Sequence, residues 1–414
     1  MHETKSKALT ENKNHPLVTA LVMSTAVASA LGFARFAYAL VLPAMKTTLH
    51  WSYFDAGTLN IANAIGYMAG ALFSAKAAMA IGTKRLYLIS LVIIAATTLA
   101  PSLSPNIVLL LVERAISGIF GAVVMVTGGA LIAHSNFRHP HRVSTTALGI
   151  YFGGAGLGIA ISGGLLPALI SHEGYSRWYL AWLVLGVLCV AALIANYFAV
   201  SELSNPTLPK TVYELVPLKH FRPTFYAYAI FGAGYISFMT FVVAYLKQQG
   251  TSQIFITAFY VILGVSAWIS AFLWDRPLEA LKKGYGLAAT LASVAIGTLI
   301  PIYSQSRAFE ILSAFFFGFA LMAATTAVTR IAQRNAPPSN VTKLLGRATF
   351  FIGAGQSIGP FVTGILADSS QGLRLGMQGA SILCLIAIVI ALFQKDNSHS
   401  TMARPNANSI GSYR

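Results

Sequence analysis

The sequence predicts an all-α membrane protein: twelve transmembrane helices in two pseudo-symmetric six-helix bundles, with both chain ends in the cytoplasm. Three observations predict it. Hydrophobic residues make up 56% of the 414 and charged residues 10%, with a mean hydropathy of +0.68, so the apolar side chains cannot all fit one water-facing core and must face lipid. Twelve apolar runs recur along the chain, each near the roughly 20 residues that cross a bilayer. The two halves also match each other at a nearly constant offset. The same composition excludes a disordered chain, a coiled coil, a collagen-like rod and a disulfide-stapled secreted domain.

The runs cover 17–45, 53–81, 86–103, 106–133, 145–170, 177–200, 223–246, 253–274, 285–303, 308–329, 341–366 and 373–393. Their continuous apolarity and their Gly, Ala, Ser and Thr content suit closely packed membrane helices. The alternation a membrane barrel needs is absent. The first run follows a polar segment with Lys5, Lys7 and Lys13. It is longer than the roughly 7–15 apolar residues of a signal peptide, so it reads as a retained span. Residues 1–16 form an N-terminal tail, 17–200 a first bundle, 201–222 a linker, 223–393 a second bundle and 394–414 a C-terminal tail.

Charge sets the orientation. With the N-terminus inside, Lys46, Arg177, Lys247, Arg307 and Arg374 fall in outer loops, Arg35 and Arg114 lie within runs, and all the other Lys and Arg fall inside. That bias predicts cytoplasmic ends. It also accounts for the net charge of +16 as topology, not as a nucleic-acid patch. Cys189 and Cys384 sit inside apolar runs and read as packing residues. His134, His139 and His141 fall in or beside the loop HSNFRHPHR and read as solvated, not metal-binding.

A shift of 197 takes Glu113 to Glu310, Gly121 to Gly318, Met125 to Met322, Gly149 to Gly346 and Gly158 to Gly355; a shift of 200 takes Gly32 to Gly232, Tyr38 to Phe238 and Arg35 to Tyr235. Helix 4 reads LVERAISGIFGA, an Arg followed by small residues. Helix 11 places Gly346, Gly355 and Gly359-Pro360 at the spacing of an antiporter signature, while helix 5 has Gly149, Gly158 and then Ser162. These features resemble the major facilitator superfamily of transporters. Helix 1 (LGFARFAYALVLPAM) and helix 7 (FGAGYISFMTFVVAYL) resemble its YbfB/YjiJ-type bacterial branch, over residues 17–393. The resemblance implies a bacterial inner-membrane secondary transporter with helices 1, 4, 7 and 10 lining a central cavity and helices 5 and 11 at the interface between halves.

Arg35 and Arg114 are the candidate substrate-binding cations, because an Arg in hydrocarbon is costly and is kept for a reason. Arg35 lies about nine residues before the outer end of its run and Arg114 about eight after the start of its own, which places both about 12–13 Å below the outer surface. They are expected to converge on an anionic or zwitterionic ligand. The alternative, that they only hold helices together, stays open. Tyr38, at i+3 from Arg35 and so on its face, and Tyr235 are the candidate polar-tipped cavity walls. Glu113 and Glu310 are the proton-coupling candidates, with Glu113 preferred for its burial beside a cation; Glu310 also reads as a solvated helix-end acid. Asn60, Asn63 and Gln356 read as inter-helix hydrogen-bonding groups. Asp55 reads as a helix N-terminal acid.

Gly149, Gly158, Gly346, Gly355, Gly359 and Pro360 are expected at the interface where the halves slide. No GxxxxGK[ST] run occurs in the sequence, and no cofactor or metal is expected. The chain reads as a monomeric non-enzyme that sits in lipid, does not bind nucleic acid and moves a small solute. Proton-coupled export is favoured on the Gly-Pro pattern. The alternatives are proton-coupled uptake, or a non-transporting receptor or assembly factor on the same fold.

Overall fold

The computed structural model describes residues 16–133, 142–201, 203, 218–336, 338–369 and 372–396. The tails, most of the linker and the His134, His139 and His141 readings lie outside the described residues. Twelve helices are long and apolar enough to span a bilayer: α1 (Leu17–Leu49), α2 (Tyr53–Ile81), α3 (Thr83–Ser102), α4 (Ile107–Ala133), α5 (Thr146–Glu173), α6 (Tyr175–Ser201), α7 (Lys219–Gln248), α8 (Gln253–Leu273), α9 (Tyr285–Tyr303), α10 (Arg307–Asn335), α11 (Lys343–Ala367) and α12 (Gly372–Leu392). No strand occurs among the described residues. The chain is a multi-pass membrane protein.

Local chemistry sets several boundaries. Ser52 caps α2 by accepting from the Asp55 N–H, while the Asp55 carboxylate accepts from the Ser52 N–H. This reciprocal box satisfies two amides the helix leaves open, and it is the role expected of Asp55. Gly82 joins α2 to α3 at φ 90°, where a side chain would be strained. The helix after α9 runs past the expected 329, because Arg334 donates to the carbonyls of Leu278, Glu279 and Leu281 and Arg330 pairs with Asp275. Those contacts tie its polar end to the connection after α8.

Burial shows where lipid lies. Leu183, Val187, Ile194 and Phe198 make one exposed stripe on α6. Such a stripe is anomalous in water but suits contact with acyl chains. α1 and α7 are the most enclosed spans. In hydrocarbon, burial of apolar surface does not drive helices together, so close backbone packing and hydrogen bonds must.

The glycines do this, with a division of labour the sequence did not reveal. Between the halves, α5 packs on α8 and α2 on α11. A Cβ on Gly156 would lie 2.9 Å from the Ala267 carbonyl carbon, and one on Gly57 would lie 2.9 Å from the Pro360 carbonyl oxygen. Gly153 and Gly163 of α5 and Gly353 and Gly364 of α11 also meet the opposite half, and Gly149 lies near Ala271 and Phe272. Gly158, Gly355 and Gly359 do not. Gly158 packs on Ala28 and Gly32 of α1, while Gly355 and Gly359 pack on Ala229 and Ala233 of α7. The expected interface role of these three is therefore corrected to packing inside one half. The cause is helix rotation: Gly156 and Gly158 are about 200° apart around α5. A Cβ on Gly346 would meet nothing within 4 Å, so this glycine is not needed for a close helix approach. The internal repeat survives as geometry, because α1 on α5 and α7 on α11 are the same contact made by duplicated glycines.

These placements predict opposite outcomes for two identical substitutions. Gly156→Ala should cost about 1–3 kcal/mol through overpacking, seen as a lower melting temperature of the purified protein. Gly346→Ala should leave it unchanged or raised, since Ala is better than Gly in a helix by about 0.5–1 kcal/mol. Equal effects would contradict the assigned packing.

Candidate functional site

The middle of α1 is not an α-helix. Residues Ala28–Phe36 form a nine-residue π-helical segment, closed by the Ala37 N–H donating to the Gly32 carbonyl at 2.8 Å. Each i→i+5 turn takes in one more residue than an α turn, and such segments recur at functional sites. Gly32 allows the segment to lie against α5, where a Cβ would come within 2.7 Å of the Gly158 carbonyl carbon.

Arg35, in the last turn of this segment, points at the other half. It is 5% exposed. Its Nη2 donates to Oε1 of Gln356 on α11 at 2.7 Å, and Gln356 Nε2 donates to the Tyr235 hydroxyl on α7. The guanidinium carbon stands 5.2 Å from the Tyr67 ring centroid and 5.9 Å from that of Phe36. Beside it, Asn60 Nδ2 of α2 donates to Thr240 Oγ1 of α7 at 2.7 Å. Among the described residues no carboxylate lies within ion-pair distance of Arg35. A buried cation is thus held by a neutral amide and two ring faces, across the plane where the halves meet. Tyr235, the repeat counterpart of Arg35, shares the same Gln356.

Arg114 does not join it. Arg114 Nη1 donates to the Ala34 carbonyl in the last turn of the π segment, and its guanidinium carbon lies 4.7 Å from the Tyr38 ring centroid and 4.3 Å from that of Trp182. Asn63 Nδ2 in turn donates to the Arg114 carbonyl at 3.1 Å. The expected convergence of the two arginines is corrected: Arg35 faces the second half, while Arg114 is clamped inside the first. Tyr38 is corrected with it. It is fully buried, its hydroxyl donates to the Ala56 carbonyl at 2.8 Å, and it stacks beneath Arg114 and beside Trp182. The spacing argument for Tyr38 assumed an α-helix, and the π segment breaks that register.

Glu113 is 7% exposed, its Oε2 has no hydrogen-bond partner, and it makes no ion pair with Arg114 among the described residues. Glu310 is not solvated. It is fully buried and paired with Arg307 at 2.9 Å, a pairing that fastens the first turn of α10. Gln356, Tyr67, Thr240 and Trp182 complete the arrangement. The sequence showed Gln356 only as a polar group in an apolar run, and Tyr67, Thr240 and Trp182 carried no signal.

The halves are pinned at the end away from the chain termini. The Asp368 carboxylate accepts from the Tyr53 and Phe54 N–H groups at 2.8 and 2.9 Å. Gln253 Nε2 donates to the Pro167 carbonyl at 2.7 Å, and Lys247 Nζ to the Tyr175 hydroxyl at 2.6 Å. Among the described residues, the hydrogen bonds between halves lie at this end or beside Arg35. The space among Arg35, Asn60, Met239 and Thr240 is about 160 Å³ and too narrow to admit a water molecule.

Two six-helix halves meeting along α2–α11 and α5–α8, with a polar centre between them, define a major facilitator transporter. The chain belongs to the family described as uncharacterised MFS-type transporter YbfB, which matches residues 27–392. It is a membrane transporter and not an enzyme. Among solved structures it is similar to a bacterial homolog of the human lysosomal transporter Spinster, inward-facing and unoccupied (TM-score 0.66, 17% identity, 94% of this chain and 98% of that one). It is also similar to the nucleoside transporter NupG (0.68, 13%, 91% and 98%) and to the human organic anion transporter MFSD10 (0.61, 12%, 91% and 99%). At these identities the likeness is one of fold.

The clamp on Arg114 makes it a support for the π segment. Arg114→Ala removes two ring contacts and the bond to Ala34, and should lower stability by about 2 kcal/mol or more, read as a reduced melting temperature and yield. An unchanged melting temperature with transport abolished would return Arg114 to the substrate path.

Proposed function

We propose that the protein is a secondary transporter that moves a small organic anion or zwitterion by alternating access, with Arg35 as the charge that selects it. One observation carries the reading: a guanidinium buried between the halves whose side-chain partner is a neutral amide. Hydrogen bonds to an ionised acceptor are about twice as strong as neutral ones. A carboxylate entering between the halves would therefore replace Gln356 at Arg35, and Gln356 and Tyr235 would be free to bind its other polar groups. Substrate binding and separation of the halves would then be the same event, as alternating access requires.

Proton coupling is assigned to Glu113, supported by its buried Oε2 without a partner and its place next to a fixed cation. Glu310 also has a buried Oε1 without a partner, but its Oε2 is already paired with Arg307. Export is the proposed direction, resting on the Gly-Pro pattern of α11, and the proposed site is the bacterial inner membrane with cytoplasmic chain ends, resting on the cation bias.

Counterflow and pH-driven accumulation in proteoliposomes test this together, using a panel of small carboxylates, amines and neutral solutes. The protein should exchange carboxylates. Arg35→Gln should remove that exchange by about tenfold or more, the value of a charged hydrogen bond, while leaving a folded protein. Glu113→Gln, fixed in the protonated form, should still exchange solute but fail to accumulate it against a pH gradient. Exchange of amines alone, or full carboxylate exchange by Arg35→Gln, would overturn the anion reading. Retained pH-driven accumulation by Glu113→Gln would remove Glu113 from coupling.

A further inference from the structure

A second pair of arginines lies far from Arg35. A groove of about 410 Å³ opens between residues 222–226 of α7 and 347–351 of α11, lined by Arg222, Phe225, Tyr226, Arg347, Phe350 and Phe351. Both helices begin at the end of the bundle where α1 starts and α12 finishes. Phe225 and Phe351 stack at 5.2 Å with ring planes 8° apart, and Tyr226 and Phe350 set their edges on Phe351 at 5.8 and 6.1 Å. Above this aromatic floor, Nη1 of Arg347 is buried without a hydrogen-bond partner.

The groove faces lipid and not the transport path. Tyr235, which reaches Gln356 at the centre, is nine residues after Tyr226. Nine residues at about 100° each make two and a half turns, so the two tyrosines point in opposite directions from α7. Tyr226 is 51% exposed and Phe350 42% exposed. From Phe350 the exposed stripe continues down α11 through Ile358, Phe361 and Ile365 at helical spacing. The groove is thus cationic at the membrane surface, aromatic at the interface and aliphatic below, in the order of a phospholipid's own parts.

We infer that this groove binds an anionic phospholipid of the leaflet on the chain-end side. Its phosphate would bind Arg222 and Arg347 and satisfy the Arg347 Nη1, and its acyl chain would follow the α11 stripe. Planar guanidinium groups suit phosphate oxygens, which they can bind in pairs. Free phosphate could use the same cations but would leave the aromatic floor and the stripe without a role. The site is independent of the substrate reading.

The test is lipid competition on the purified full-length protein in a zwitterionic detergent, using phosphatidylglycerol, phosphatidylcholine and inorganic phosphate. Retained lipid is read by native mass spectrometry and stability by the melting temperature. The wild type should retain phosphatidylglycerol over phosphatidylcholine by about 30-fold, the factor two cations supply at an anionic surface, and phosphatidylglycerol alone should raise its melting temperature. Arg222→Gln with Arg347→Gln should lose the preference. Arg222→Gln alone, at an exposed position, should reduce it to about fivefold and decides the matter should the double variant not fold. Equal retention of both lipids by the wild type, an undiminished preference in Arg222→Gln, or stabilisation by inorganic phosphate equal to that by phosphatidylglycerol would each overturn the inference.

Discussion

A guanidinium does not give up its proton in a protein interior, so one placed in the middle of a membrane must be offered acceptors or ring faces by whatever surrounds it. Arg35 sits where two six-helix halves meet, and its acceptor comes from the half it does not belong to. The closed centre therefore rests on this charge–amide contact, with the Asn60–Thr240 hydrogen bond beside it. Separating the halves at this level exposes an unmet cation, and only a solute with its own negative charge, or water, can answer it. That coupling between charge and opening is the physical basis of the transport reading.

The rest of the structure presents Arg35 in this way. The π-helical turn rotates it toward α11, and the turn is itself held from behind by Arg114, whose guanidinium caps the Ala34 carbonyl between Tyr38 and Trp182. Glycines at Gly32 and Gly158 bring α1 and α5 close enough for the segment to lie flat, and the same contact recurs in the second half at Gly232, Gly355 and Gly359. Each half is thereby close-packed within itself. The contacts between halves are of a different kind: glycine-lined helix pairs, a collar of hydrogen bonds at the end away from the termini, and the polar centre. Hydrogen bonds across helices in lipid are worth only about 1 kcal/mol each, which suits an interface that must open.

Much of this was legible in the residues. The apolar runs, the cation bias and the near-constant repeat offset gave twelve spans in two halves, because hydrophobic thickness and duplication both leave marks in the linear order. Arg35, Tyr235 and Gln356 were each visible as polar groups in apolar runs. Their meeting was not, since it needs the rotation of three helices about their axes. The π segment hid the rest: reading α1 as an ordinary helix placed Tyr38 on the face of Arg35, while the equal depth of Arg35 and Arg114 said nothing of which way each points. Gly156 and Gly158 show the same limit, two residues apart in sequence and facing different halves. Glu310 looked like a solvated helix end because its partner Arg307, three residues earlier, counted only as a loop cation.

If Arg35 selects substrate by exchanging a neutral partner for a charged one, supplying that charge within the protein should remove the need for substrate. Gln356→Glu does this with little change in shape. The direct measurement is carboxylate counterflow by this variant in proteoliposomes, alongside its melting temperature. The account predicts a folded protein, more stable than the wild type, in which an ion pair between Arg35 and the introduced carboxylate keeps the halves closed and exchange is lost. Exchange at the wild-type rate by a stably folded Gln356→Glu protein would contradict it.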